Sequence, residues 1–258
     1  MLIYYCRLQV HDNIFYATRE MGILYETEQH LHNWALTYAF FGGLHIAQPY
    51  ANAIDPQEPQ YLDTKKEQSL LILNQKEIYV FPAQPLRCNY QVNTFKAAQT
   101  AYYGKSKQFG DKGANRNYPI NYGRAKEIAV GSEYHSYIMT ANPLAVPRWI
   151  RLGKWMAKVR VDAKLIPDKA MQLKSGSYSC PHPLNPIDLP SHQQLRMYDR
   201  IVMPPTSLVT QTQLEGEHWQ LSGQDWENFA QEFPELPEKK LCLPSGMSYG
   251  GKNAAHVP

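Results

Sequence analysis

Charge is spread so unevenly along this chain that it limits how the middle third can pack. Residues 79–180 carry 16 basic and 5 acidic side chains, a net of +11. The stretches 1–78 and 181–258 each carry 5 basic and 9 acidic groups, a net of −4. A segment that basic repels itself when it folds compactly without a partner. Its cations therefore belong on a surface or a projection, and an anionic partner is the expected ligand, nucleic acid first. A solvated basic face is the plain alternative. The net charge of +3 over 258 residues hides the contrast.

The periodicities predict an α+β fold. Residues 3–10 alternate as a strand, with Tyr4, Cys6, Leu8 and Val10 on one face. A helix is predicted over about 28–41, where Leu31, Trp34, Ala35 and Tyr38 recur at helical spacing. Thr27 is its expected cap and Gly42-Gly43 its stop. Residues 44–66 read as a long loop. SLLILNQKEIYVF reads as two strands, near 69–73 and 77–81, about a turn at Asn74–Lys76. PLRCNYQVNTF is another strand. Residues 96–127 are basic, aromatic and glycine-bearing, with little apolar period, and read as a protruding loop or hairpin. Further strands are predicted at 128–139, at about 155–162 and within 199–221. Residues 175–192 read as loop, 224–233 as a short helix, and 244–258 as a tail. One helix layer on an antiparallel sheet is the expected arrangement, most often ferredoxin-like.

Several chemical classes fall away. No run of 18 apolar residues exists, so no membrane span is expected. MLIYYCRL has neither the charge pattern nor the cleavage site of a signal peptide. The four cysteines, at 6, 88, 180 and 242, form no CxxC pair, which points to a reducing cytoplasm and away from a zinc knuckle. Gly104-Lys105-Ser106 lacks the P-loop glycine, since Gln99 stands where it belongs. Cys180-Pro181-His182, with His192 beyond, is at most half a metal site and reads as loop. His11-Asp12-Asn13 pairs a histidine with a carboxylate but has no nucleophile beside it; an Asx-type turn explains it equally well. No metal or cofactor is expected.

What remains is a constellation of cations, rings and glycines. Lys96, Lys105, Lys107, Lys112, Arg116, Arg124 and Lys126 alternate with Tyr102, Tyr103, Phe109, Tyr118 and Tyr122. Cations neutralise phosphates, and rings stack on unpaired bases at roughly 1–3 kcal/mol each. A second group is Arg148, Arg151, Lys154, Lys158, Arg160 and Lys164 around Trp149 and Trp155. A strand over 154–160 would put Lys154, Met156, Lys158 and Arg160 on one face as a cationic stripe. Trp155 reads equally as core or as stacking platform.

The chain resembles the family-five Cas subunit of the type I-D CRISPR effector, the Csc-one type. The resemblance lies in HDNIFYATREMGILYETEQHLHNWALTYAF (11–40), RLGKWMAKVRV (151–161), YDRIVMPPTSL (198–208) and LPSGMSYG (243–250). It implies an RRM-like or ferredoxin-like core of the repeat-associated CRISPR protein type, in one domain over 1–243, with a thumb inserted at about 96–127 and additional antiparallel strands. It implies a subunit that holds the 5′ handle of the crRNA and caps one end of a backbone filament. Its implied neighbours are the first backbone subunit and the large Cas-ten-like subunit; a contact with target DNA is left open. The RNA contacts expected are Lys96, Tyr102, Tyr103, Lys105, Lys107, Arg116, Arg124, Lys126, Arg151, Lys154, Lys158 and Arg160. The acidic N-terminal third, with Asp12, Glu20, Glu26 and Glu28, suits protein contact instead.

The competing reading is a metal-independent endoribonuclease that processes CRISPR repeat RNA. Such chemistry needs a base, a proton donor and a cation at the scissile phosphate. Tyr102, Tyr103, His135 and Lys105 are suitable types, but their spacing does not make them converge. The resemblance implies that cleavage belongs to a separate Cas-six-type subunit. A protein-only scaffold is the third possibility.

Overall fold

The computed structural model describes residues 1–47, 61–64, 67–98 and 120–251. In chain order the strands begin with β1 (Leu2–Val10), β2 (Arg19–Met21) and β3 (Leu24–Glu26). Helices α1 (Asn33–Phe41) and α2 (Leu71–Gln75) follow, then β4 (Ile78–Val80), β5 (Gln84–Arg87), β6 (Tyr90–Ala98) and β7 (Ile120–Ile128). Next come β8 (Glu133–Thr140), β9 (Trp149–Leu152), β10 (Ala157–Leu165), β11 (Met171–Cys180), β12 (Gln194–Ile201) and β13 (Leu208–Ser222). Helix α3 (Gln224–Gln231) and β14 (Lys240–Pro244) complete the order. The protein is thus mostly β with few helices, which bears out the mixed class only coarsely. No described helix is long and apolar enough to cross a membrane.

Three sheets carry the architecture. The main sheet runs β4-β8-β1-β10-β9, with β5 also on β8. Its centre is β1, paired antiparallel to β8 and to β10. Cys6, Leu8 and Val10 are buried on one face, and Ile3 and Tyr5 on the other. A strand buried on both faces needs a cover on each. Helix α1 packs against β4 and β9, the two ends of one face. Helix α3 covers part of the other, where Phe229 and Phe233 meet the Tyr5 ring at 6.3 and 4.6 Å. The second sheet is β11-β13-β12, with β14 also on β13; the third is β2-β3-β7-β6.

Several local expectations change. Helix α1 begins at Asn33, not near 28, and His32 caps it by accepting from the Trp34 N–H at 3.2 Å. Thr27 is engaged elsewhere: its hydroxyl accepts from Tyr16 N and donates to Tyr16 O. SLLILNQ holds helix α2, and only Ile78–Val80 is strand; a short apolar run is ambiguous by period alone. Residues 175–180 belong to β11. Residues 244–251 are built into the fold: the Tyr249 hydroxyl bonds the Thr37 hydroxyl and accepts from Val80 N, and Gly250 N donates to Asp188. The described part of residues 96–127 lies in the β6–β7 hairpin, paired from Tyr90↔Ile128 to Ala98↔Ile120. Residues 99–119 lie outside the described ones.

Candidate nucleic-acid interface

The block RLGKWMAKVRV folds as the β9–β10 hairpin. Ile150, Leu152, Ala157, Val159 and Val161 point into the core. Alternation then forces Trp149, Arg151, Lys158 and Arg160 outward, and all four are exposed. The register sets Trp149 opposite Arg160 and Arg151 opposite Lys158. The Lys158 ammonium lies 4.3 Å from the Trp149 ring centroid, and His11 meets that ring edge-on at 5.1 Å. Trp149 is 46% exposed, so this cation–ring pair faces solvent.

Lys154 does not share a strand face with Lys158 and Arg160. Residues 153–156 form the turn between the strands, with Gly153 at φ 77° and Met156 at φ 56°. Strand alternation holds only from Ala157 onward, because left-handed residues break the pleat. The turn is pinned by Lys154 N, which donates to Phe15 O at 2.8 Å. Trp155 stacks on Phe15 at 4.5 Å and 27° while staying 52% exposed. It is therefore a surface ring and not core.

His11-Asp12-Asn13 ties the hairpin to the rest of the molecule. The N–H groups of His11 and Asp12 both donate to Lys158 O, and an Asp12 carboxylate oxygen accepts from Lys158 N at 2.9 Å. Asn13 faces the other way, accepting from Val130 N and donating to the Gln91 side chain. This segment joins the base of the β6–β7 ribbon to the β9–β10 hairpin. The turn reading of this segment thus has its structural role, with both the His11 and Asp12 side chains left exposed.

The expected RNA residues divide into three groups. Arg151, Lys154, Lys158 and Arg160 gather on the hairpin. Arg124 and Lys126 stand on β7; Arg124 is exposed, whereas Lys126 pairs with Glu26 at 3.1 Å and lies 4.4 Å from the Tyr90 centroid. Lys96 lies opposite Tyr122 in the ribbon register. Tyr102, Tyr103, Lys105, Lys107 and Arg116 lie outside the described residues. On the hairpin, Arg151–Asp12 at 3.8 Å and Arg160–Asp162 at 3.2 Å are exposed ion pairs. Such pairs are worth little in water, so they leave the cations open to a polyanion. The partnership of Phe15 with Trp155 was not anticipated; its one sequence signal was an aromatic residue directly after the turn that follows β1.

His135, His182 and Cys180 are enclosed. His135 is 7% exposed, with Tyr5, Tyr137 and His182 rings at 5.9, 5.9 and 5.1 Å. Burial pushes its imidazole down to about 4. His182 is fully enclosed and held well below the usual imidazole range, also by burial; its Nε2 lies 2.9 Å from Pro82 O. Burial raises the Cys180 thiol to about 12. Among the described residues no three His, Cys, Asp or Glu side chains are gathered to hold a metal.

Residues 1–252 match the family described as type I-D CRISPR-associated protein Cas5/Csc1. No curated protein matches. Among solved structures, the chain is similar to a CRISPR protein from Archaeoglobus fulgidus, at 10% identity and TM-score 0.42, covering 94% of this chain and 99% of that one. It is also similar to a chain of the Type III-B Cmr-beta complex bound to cognate target RNA and AMPPnP, at 8% identity and TM-score 0.40, covering 90% of each.

Proposed function

Because the chain belongs to the type I-D CRISPR-associated Cas5/Csc1 family, we propose that it is a non-catalytic crRNA-binding subunit that caps the 5′-handle end of the type I-D interference complex. The observation that carries this reading is the exposed cation–ring face of β9–β10, where Arg151, Lys154, Lys158 and Arg160 surround Trp149 and Trp155. Phosphates take the cations and unpaired bases take the rings. We read β1, β8 and β10 with α1 as the RRM-like core, and the β6–β7 ribbon as the stem of the thumb. The backbone subunit and the large Cas-ten-like subunit are the proposed protein neighbours. Of the groups named for ribonuclease chemistry, His135 is buried among rings, which does not favour its meeting a phosphate.

Filter binding across a salt series tests this. Handle RNA should lose affinity with a log–log slope of roughly 0.7 per neutralised phosphate. Lys154→Ala and Lys158→Ala should each lower that slope by a little under one, and should weaken native and scrambled handles alike. Folded variants that bind both RNAs like the unmodified protein would remove the hairpin from the interface. Site-specific cleavage of repeat RNA in EDTA would replace the cap with an enzyme.

A further inference from the structure

An open groove of about 500 Å³ lies beside the hairpin, lined by Val146, Arg148, Trp149, Arg160, Asp162 and Ala163. Its contents differ from those of a plain phosphate channel. It has one ring wall, Trp149. It has a guanidinium and a carboxylate side by side, since Arg160 Nη2 donates to Asp162 Oδ1 at 3.2 Å. Among the described residues Asp162 Oδ2 has no partner. Arg148 is exposed at the rim. A carboxylate repels a phosphate, so Asp162 is misplaced in a site that only follows the backbone.

A base resolves the conflict. Stacked on Trp149, it would present its polar edge to Arg160 and Asp162, while Arg148 stays near the phosphate. The carboxylate accepts hydrogen bonds and the guanidinium donates them. Guanine is the one common base with two adjacent donors, N1–H and the 2-amino group, next to the acceptors O6 and N7. Uracil and cytosine offer one donor site each, and adenine one amine. We propose that this groove reads a single unpaired guanine, with Asp162 as the specificity-determining residue and Trp149 as the platform. The inference rests on the RNA-binding reading above and narrows it to one position and one base.

The test uses the whole chain and four labelled pentanucleotides, uridine throughout except for a central guanine, adenine, cytosine or inosine, with penta-uridine as reference. Binding is followed by fluorescence anisotropy. The guanine probe should bind roughly tenfold more tightly than penta-uridine, in keeping with one good bidentate base contact. Inosine, which lacks the 2-amino group, should fall between them. Asp162→Asn should erase the guanine advantage while leaving penta-uridine bound at least as well, since a negative charge is removed. Trp149→Ala should weaken every probe. Equal affinity for all five probes, or a guanine advantage that survives Asp162→Asn, overturns the base-reading groove and leaves the backbone interface standing. Failure of every probe to bind at any salt overturns both.

Discussion

At the scale of single residues, Asp188 is held from four sides. Its carboxylate is fully buried, with no cation paired to it among the described residues. Oδ2 accepts from Asn33 at 2.7 Å, from the Trp34 indole at 3.1 Å and from the Tyr79 hydroxyl at 3.2 Å, and Oδ1 accepts from Gly250 N. Burial outweighs these bonds and pushes the carboxyl up to about 6. The unfolded chain releases this proton near the ordinary value of 3.8 and the folded one near 6. The group's contribution is thus complete below about pH 4 and is lost as pH rises through 6, by on the order of 3 kcal/mol. Asp188→Asn should flatten that part of the stability curve, read as the difference in melting temperature between variant and parent from pH 4 to 7. A parallel pair of curves would mean that the carboxylate is better compensated than its surroundings suggest. Helical spacing was enough to place Trp34 inside, and it is 4% exposed. Its indole partner was not legible, because Asp188 lies 154 residues away and no local pattern links them.

Among elements, the β9–β10 hairpin shows where periodicity stops being informative. Its cations were expected at the surface and Trp155 was left open between core and platform, but the turn that separates Lys154 from Lys158 was missed. Gly153 explains that turn. It sits at φ 77°, and a Cβ there would come within 2.8 Å of Phe15 O and 3.1 Å of Phe15 N. Gly153→Ala must therefore strain the backbone and push the turn off residue 15, costing about 1–3 kcal/mol. The Trp155–Phe15 stack should loosen with it. The expected result is a lower melting temperature together with weaker handle binding. A variant that melts earlier but binds RNA unchanged would separate the turn's structural duty from recognition. Helix α3 was read nearly to its ends, since Trp226, Phe229 and Ala230 are buried on one stripe. The same reasoning failed at α2, where five residues are too few to display a period.

For the molecule as a whole, the uneven charge was the most useful clue and the C-terminal block the least anticipated. Composition placed the cations outside, and the hairpin does expose them. LPSGMSYG carries the resemblance near the chain's end, yet its role is internal: Leu243, Ser245, Met247, Ser248 and Tyr249 are all buried. Tyr249 joins α1 to β4 through one hydroxyl, 2.7 Å from Thr37 and 3.0 Å from Val80 N. Tyr249→Phe leaves the Val80 N–H and the Thr37 hydroxyl without this partner and should cost about 1–3 kcal/mol. Chemical denaturation should show that loss with an unchanged slope, and RNA affinity per folded molecule should not move. A changed slope would mean that the whole fold had loosened.

These polar ties also govern how the chain can be made. Asn33 finds Asp188 only 155 residues later, and Thr37 finds Tyr249 only 212 residues later. A ribosome adds roughly 5–20 residues per second, so α1 waits about ten seconds or more for its last partners. A nine-residue helix does not hold its shape alone. During that wait Phe40 and Phe41 have no finished core to enter, and the nascent chain is open to chaperones and to its neighbours. Synthesis therefore leaves helix α1 among the last parts of the fold to be completed, although it emerges well before Asp188 and Tyr249.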